Sequence, residues 1–288
     1  MDMKMNLTLH RKYSRMVRTA FRLFLGVSLL LPAACSGDDH PVPAMRPQLP
    51  ADGGAPVVSI KHLGSVLSAY DWDFSYADNR LVSAAGTVRD PLPDIDRSFS
   101  YTSNLVYGPA SVAVKNSNGT VTDIKLNSSG YVERMTVNGN IYEFRYMDGR
   151  LIGWNKTVFE NSLGPAAQYR SSANIEYVNG NLSRIVYTEA GNEPVVLTFT
   201  PSGIVNTNGL LPETVSKEMG CLSFEHLYYA GLLGRPTSNL VQEISVDYPE
   251  GTAQDYTIEF EYNVQGGNTV LCNYHTPDGK PAAVNYGY

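Results

Sequence analysis

Between residues 111 and 159 short runs of alternating apolar and polar residues are separated by turn-forming clusters, about ten residues apart. SVAVK is followed by Asn116-Ser117-Asn118-Gly119, TVTDIKL by Asn127-Ser128-Ser129-Gly130, and YVERMTV by Asn138-Gly139. IYEFRYM is followed by Asp148-Gly149 and the apolar return RLIGWNKTVF. Asn-Gly and Asp-Gly supply the positive φ that a tight hairpin demands. Side chains two apart share a strand face. Tyr142, Phe144 and Tyr146 therefore point one way, and Glu143 and Arg145 the other. The pattern predicts sequential antiparallel strands with one aromatic face and one charged face.

The unit recurs at uneven intervals. Tyr70, Trp72, Phe74 and Tyr76 alternate with Asp71, Asp73 and Ser75. Ile175 and Tyr177 flank Glu176 before Asn179-Gly180, and Ile258, Phe260 and Tyr262 alternate with Glu259 and Glu261. This is an imperfect hairpin repeat, not a strict solenoid. One segment departs from it: Phe224, Leu227, Tyr228 and Gly231 fall on one helical face. With Ser223 as a cap, and Gly234 and Pro236 as stop signals, a short amphipathic helix is expected near 223–234. An aromatic sheet face must be covered, because burial stabilises by about 25 cal/mol per Å² of apolar surface. The expected fold is all-β and mainly antiparallel. It is a curved meander sheet or partial barrel of hairpins over 57–288, forming a single domain with the helix packed on the concave face.

The first 34 residues read differently. A basic stretch (Lys4, Arg11, Lys12, Arg15, Arg18, Arg22) precedes an apolar run from Leu23 to Leu31 and the small residues Pro32-Ala33-Ala34. This is the layout of a secretory signal peptide over 1–34. Leu31-Pro32-Ala33-Ala34-Cys35 resembles a bacterial lipobox, with Leu one step further from the Cys than usual. The resemblance implies lipidation at Cys35 and membrane attachment through acyl chains, each buried methylene contributing about 0.8 kcal/mol. The following Ser36-Gly37-Asp38-Asp39 resembles the export tag of surface lipoproteins in the Bacteroidota. It implies an outer-membrane protein displayed on the cell surface, the periplasmic face being the alternative. Five prolines within 36–56 make residues 35–56 an extended tether behind the lipidated Cys.

Removal of 1–34 takes six of the 22 Lys and Arg and one of the 28 acids, leaving a formal charge of 16 − 27 = −11. So acidic a body is a poor partner for phosphate backbones, and nucleic acid is set aside. Besides Cys35, two cysteines remain, Cys221 and Cys272, in a compartment where disulfides persist. They are either bonded to each other or two small buried hydrophobes.

Nucleophile-elbow, zincin and phosphate-loop motifs are missing from the sequence, and the protein reads as non-enzymatic. Asp71, Asp73, Glu259 and Glu261 offer carboxylates for glycoside hydrolysis, yet their spacing is that of any solvated strand face. Cys221, His226, Cys272 and His275 fit no familiar zinc module, so neither metal nor cofactor is expected. Trp72 between Asp71 and Asp73, together with Trp154, forms a candidate aromatic platform for a glycan. Against this, Trp72 shares the face of Tyr70, Phe74 and Tyr76, which is core. The terminal AVNYGY has the aromatic end of an outer-membrane barrel strand, but Asp, Glu and Arg occupy the face that would meet lipid.

Tyr146, Asp148, Gly149, Arg150 and Leu151 resemble the tyrosine-aspartate repeats of secreted wall and toxin-shell proteins. The lipobox, acidic tag, tether, hairpins and HLYYAGLLGRPTSNL together resemble a family of Bacteroidota lipoproteins, domain of unknown function 4595. That resemblance spans roughly 57–288 and implies a porin-like β fold, with no activity or functional residues attached. The expected role is a lipid-anchored binding or interaction module for a glycan or a host protein. A structural envelope lipoprotein and a glycan hydrolase are the alternatives, and the oligomeric state is open.

Overall fold

The computed structural model describes residues 54–64, 70–88, 99–137, 139–159, 168–189 and 191–288. The first half of the domain contains β1 (Ser59–Gly64), β2 (Tyr70–Ala77), β3 (Arg80–Val88), β4 (Phe99–Tyr107), β5 (Ser111–Asn116), β6 (Val121–Leu126), β7 (Val132–Val137) and β8 (Asn140–Met147). The second half contains β9 (Arg150–Phe159), β10 (Gln168–Val178), β11 (Asn181–Thr188), β12 (Val195–Val205), β13 (Asn239–Asp247), β14 (Tyr256–Gln265), β15 (Asn268–His275) and β16 (Pro281–Gly287). Each strand pairs antiparallel with its sequence neighbours, and β1 also pairs with β16, from Ser59↔Gly287 to Gly64↔Ala282. The sheet is thus a closed barrel of 16 strands, not a curved sheet or partial barrel.

The hairpins contain a device that helps explain the closure. In five of them the return strand carries one extra residue just after the turn; between β6 and β7, Lys125 pairs with Arg134 but Leu126 with Val132. Ser75 pairs with Ser83 but Tyr76 with Leu81; Arg145 pairs with Gly153 but Tyr146 with Leu151. Glu176 pairs with Arg184 but Tyr177 with Leu182, and Asn263 with Leu271 but Val264 with Thr269. Such bulges sharpen twist and bend the sheet, as closure requires. They also turn Leu81, Leu151, Leu182 and Thr269 into the buried interior. The expected turns are present: Asp148-Gly149 and Asn179-Gly180 have positive φ at both central residues.

The alternation decides inside from outside. Trp72, Phe74, Phe144, Trp154, Ile175, Ile258 and Phe260 are buried, while Lys125, Glu133, Glu143, Arg145, Glu259 and Glu261 are exposed on the outer wall. A barrel in a bilayer presents an apolar band outward; these positions carry charge.

A barrel of 16 strands is wide enough to leave a channel. Here the connection between β12 and β13, residues 206–238, fills the lumen. Its partners lie all round the wall. His226 packs on Trp72 at 5.1 Å, Tyr229 on Phe74 at 5.3 Å, and Phe224 on Tyr142 at 6.0 Å between ring centres. Val132 N donates to Leu232 O at 2.9 Å, Trp154 Nε1 to Glu218 O at 2.7 Å, and Tyr286 OH to the Glu213 carboxylate at 2.6 Å. Most of this plug is buried. Its helix, α1, runs only over Glu225–Tyr229, shorter than the expected 223–234, and all five residues are buried. A helix enclosed on every side need not be amphipathic. Ser223 does not cap it: its hydroxyl hydrogen-bonds Tyr70 OH at 2.7 Å and its carbonyl accepts from Tyr101 OH at 2.9 Å. Gly54 to Pro56, at the end of the expected tether, adjoin the plug, since Asn208 Nδ2 donates to Ala55 O at 3.1 Å.

Candidate functional site

Alternation in β1 directs Ile60 and His62 inward, where they meet the plug. Pairing of β1 with β2 ends at Ile60↔Trp72. Beyond that point Asp71 Oδ1 accepts the His62 backbone N–H at 2.8 Å and contacts His62 Nδ1 at 3.2 Å. The other ring nitrogen, Nε2, lies 3.3 Å from Glu213 Oε2 on the plug. Burial opposes charge on this imidazole, but the two carboxylates outweigh it and raise its pKa from 6.5 to about 9. His62 is therefore an imidazolium clamped between two acids, which ties the plug to the wall.

Beside this clamp is a cavity of about 360 Å³ between the plug and β1, β2, β14 and β15. Tyr70, Trp72, Tyr256 and Tyr274 contribute aromatic surface, and Glu213, Glu218 and Glu225 contribute carboxyls. Exposed Thr214, Lys217 and Leu222 connect its rim to solvent. Glu225 is 7% exposed, and its Oε2 has no hydrogen-bond partner; Glu218 Oε2 is likewise buried and unpartnered. Desolvation raises the Glu225 pKa to about 7, against hydrogen bonds that favour its charged form, and raises that of Glu218. A second cavity of about 220 Å³ includes Tyr131, Arg150 and Arg235. Arg150 is committed there to Pro236 O and Ser238 Oγ.

The residues singled out in the sequence do not form one site. Trp72 is 1% exposed, stacks on Tyr70 and Phe74, and only borders the cavity. Asp71 faces His62, whereas Asp73 lies on the outer wall with Lys61 Nζ at 2.7 Å. Trp154 lies across the lumen with its face against Gly220. The aromatic platform of Trp72, Asp71, Asp73 and Trp154 is thus dispersed by core packing. Cys221 and Cys272 are free thiols, not a disulfide. One sits on the plug and one on β15, each enclosed as a small hydrophobe, and desolvation raises both pKa values. Cys35 lies outside the described residues. Among those described, no group of three or more His, Cys, Asp or Glu is placed to hold a metal. Glu259 and Glu261 are exposed on the outer wall.

His62, Glu213, Glu218 and Glu225 are not among the candidate residues expected from the sequence. A signal existed. The three acids are isolated in the apolar run LLPETVSKEMGCLSFEHLYYAGLLG, and His62 takes an inward place in the alternation of SIKHLG.

A closed antiparallel barrel with its lumen occupied by one of its own connections defines the class: a plugged, porin-like β-barrel. The chain belongs to the family described as a domain of unknown function (DUF4595) with porin-like fold, whose profile matches residues 69–270. It is similar in structure to a porin-like protein from Bacteroides uniformis ATCC 8492, at 20% identity and TM-score 0.61, covering 81% of this chain and 98% of that one. It is also similar to a porin-like protein from Bacteroides vulgatus ATCC 8482, at 12% identity and TM-score 0.54, with the same coverages. These likenesses show the fold. No curated relative matches.

Proposed function

We infer that the protein is a lipid-anchored, surface-displayed, non-enzymatic binding module that takes a small glycan into the cavity between plug and wall. The observation that carries this reading is the cavity itself: about 360 Å³, aromatic on several sides, with carboxyl oxygens of Glu218 and Glu225 left unpartnered. Pockets of this size suit ligands of roughly one or two sugar rings, too small for a folded host protein. Aromatic faces with a few polar groups are the usual means of holding such ligands. The state of His62 supports a non-enzymatic role, because an imidazolium held by two carboxylates is a poor general base near neutral pH. The lipobox at Cys35 and the acidic tag after it support anchoring and outward display.

Binding is tested by titrating the protein with neutral mono- and disaccharides in a calorimeter. Saturable heat, abolished when the cavity wall is filled by Ile258→Trp, is expected. No heat with any sugar contradicts the glycan reading and favours a structural envelope protein. Anchoring is tested by labelling cells with radioactive palmitate, which should mark the protein and leave Cys35→Ser unlabelled. Display is tested with protease on intact cells beside a periplasmic control protein. Survival of both denies outward display.

A further inference from the structure

The carboxyls around the cavity are unequally compensated. His62 answers Asp71 and Glu213, at 3.2 Å and 3.3 Å. Lys217, the other cation of the lining, extends to Glu189 at 3.0 Å and lies over the Tyr187 ring at 4.9 Å. That leaves Glu218 and Glu225, each with a buried oxygen that no hydrogen bond reaches. A buried polar atom without a partner is costly, and a buried carboxylate more so. Two incompletely satisfied acids at the wall of one cavity therefore call for a partner from outside the chain. A neutral hydroxyl would satisfy the hydrogen bond but not the charge; a cation satisfies both. Tyr70, Tyr256 and Tyr274 offer the ring faces that attract a cation as well.

We propose that this cavity is a site for a small ligand bearing a protonated amine, whose nitrogen is held by Glu225. The proposal rests on the reading of the cavity as a ligand site and names the charge its ligand carries. The protonation of Glu225 adds a pH signature. The charge that acts on it is that of His62 from β1, beside hydrogen bonds from Ser216 and Ser223; its own charge in turn acts on Tyr70 from β2, Tyr101 from β4 and Cys221 from the plug. Tyr70, Tyr101 and Cys221 all have raised pKa values and are neutral near pH 7, so His62 is the one charge among these groups. Glu225, raised to about 7, gains its charge as the pH rises through that value. Binding of an amine should strengthen from about pH 6 to about pH 8, a range over which an alkylamine of pKa near 10 stays protonated.

The test uses two matched pairs: methyl 6-amino-6-deoxyglucoside against methyl glucoside, and cyclohexylmethylamine against cyclohexylmethanol. The expected result is that each amine binds at least about tenfold more tightly than its neutral partner, a difference of about 1.4 kcal/mol. Glu225→Gln should remove the advantage of the amine over its neutral partner and the pH dependence of that advantage. If that variant does not fold, the pH series on the unaltered protein decides: the advantage of the amine must grow from about pH 6 to about pH 8, and a flat series overturns the proposal. Equal binding of amine and neutral partner overturns the proposal and leaves the glycan reading standing. Binding of cyclohexylmethylamine with neither glucoside upholds the proposal and overturns the glycan reading. No binding by any of the four overturns both.

Discussion

His226 is buried on α1 inside the barrel, 5.1 Å from Trp72, and neither ring nitrogen has a hydrogen-bond partner. Desolvation lowers its pKa from 6.5 to about 3. The folded protein thus holds a neutral imidazole that the unfolded chain would protonate. The stability it contributes is present above pH 6.5 and is lost as the pH falls toward 3. Each unit of pKa difference corresponds to about 1.4 kcal/mol, so this residue alone removes about 2 kcal/mol between pH 6.5 and about pH 5. Glu225 acts in the opposite sense over this range, because its folded pKa is raised from 4.5 to about 7, whereas the contribution of His62 is already complete below pH 6.5. The overall pH curve of the protein is therefore not diagnostic, but its difference from that of His226→Leu is. Near neutrality the variant should be at least as stable as the parent, because it removes two orphaned polar atoms at about 1–3 kcal/mol each, offset by some loss of ring packing. Urea unfolding at about pH 7 and about pH 5 measures both quantities. The stability difference between variant and parent should grow by about 2 kcal/mol on acidification. Parallel loss in both proteins would refute the assignment of a buried, neutral His226.

Three further outcomes follow from the packing. Trp72→Ala should cost about 3–5 kcal/mol in thermal or chemical unfolding, because the ring is core and not an exposed platform. A folded variant of unchanged stability would contradict that placement. Gly220→Ala should be strongly destabilising, since an added Cβ would lie 2.8 Å from the Trp154 ring at a φ of +71°; unfolding of Gly220→Ala beside the exposed control Gly191→Ala reads this out. Lys61→Ala removes a pair whose side chains are 43% and 62% exposed, and should change stability by less than about 1 kcal/mol in the same assay.

The hairpins were legible in the sequence because they are local. Asp148-Gly149 and Asn179-Gly180 fix their turns, and the alternation of Tyr142, Phe144 and Tyr146 with Glu143 and Arg145 fixes which face is buried. Closure was not, because an open and a closed meander share the same hairpins and differ in one pairing, β1 with β16, between opposite ends of the domain. The bulges after Tyr76, Tyr146 and Tyr177 leave little trace beyond one extra residue in the return strand. The plug was only partly legible. The spacing of Phe224, Leu227 and Tyr228 marks a helical turn, but Ser223, Gly231 and Gly234 have positive φ and bound it closely. The candidate site was hidden for the same reason. His62 and Glu213 are 151 residues apart and meet only once the barrel has closed around the plug.

Residues 206–238 fill the lumen, and the two buried cysteines report on this directly. Cys221 on the plug and Cys272 on the wall are both buried and both free. In a full-length Cys35→Ser variant, a small thiol reagent under native conditions should label neither, at a rate limited by unfolding, and should label both once the chain is denatured without reductant. Rapid labelling of the native protein would show an open lumen and contradict the account. Protection that persists after denaturation would show a disulfide and contradict the free thiols.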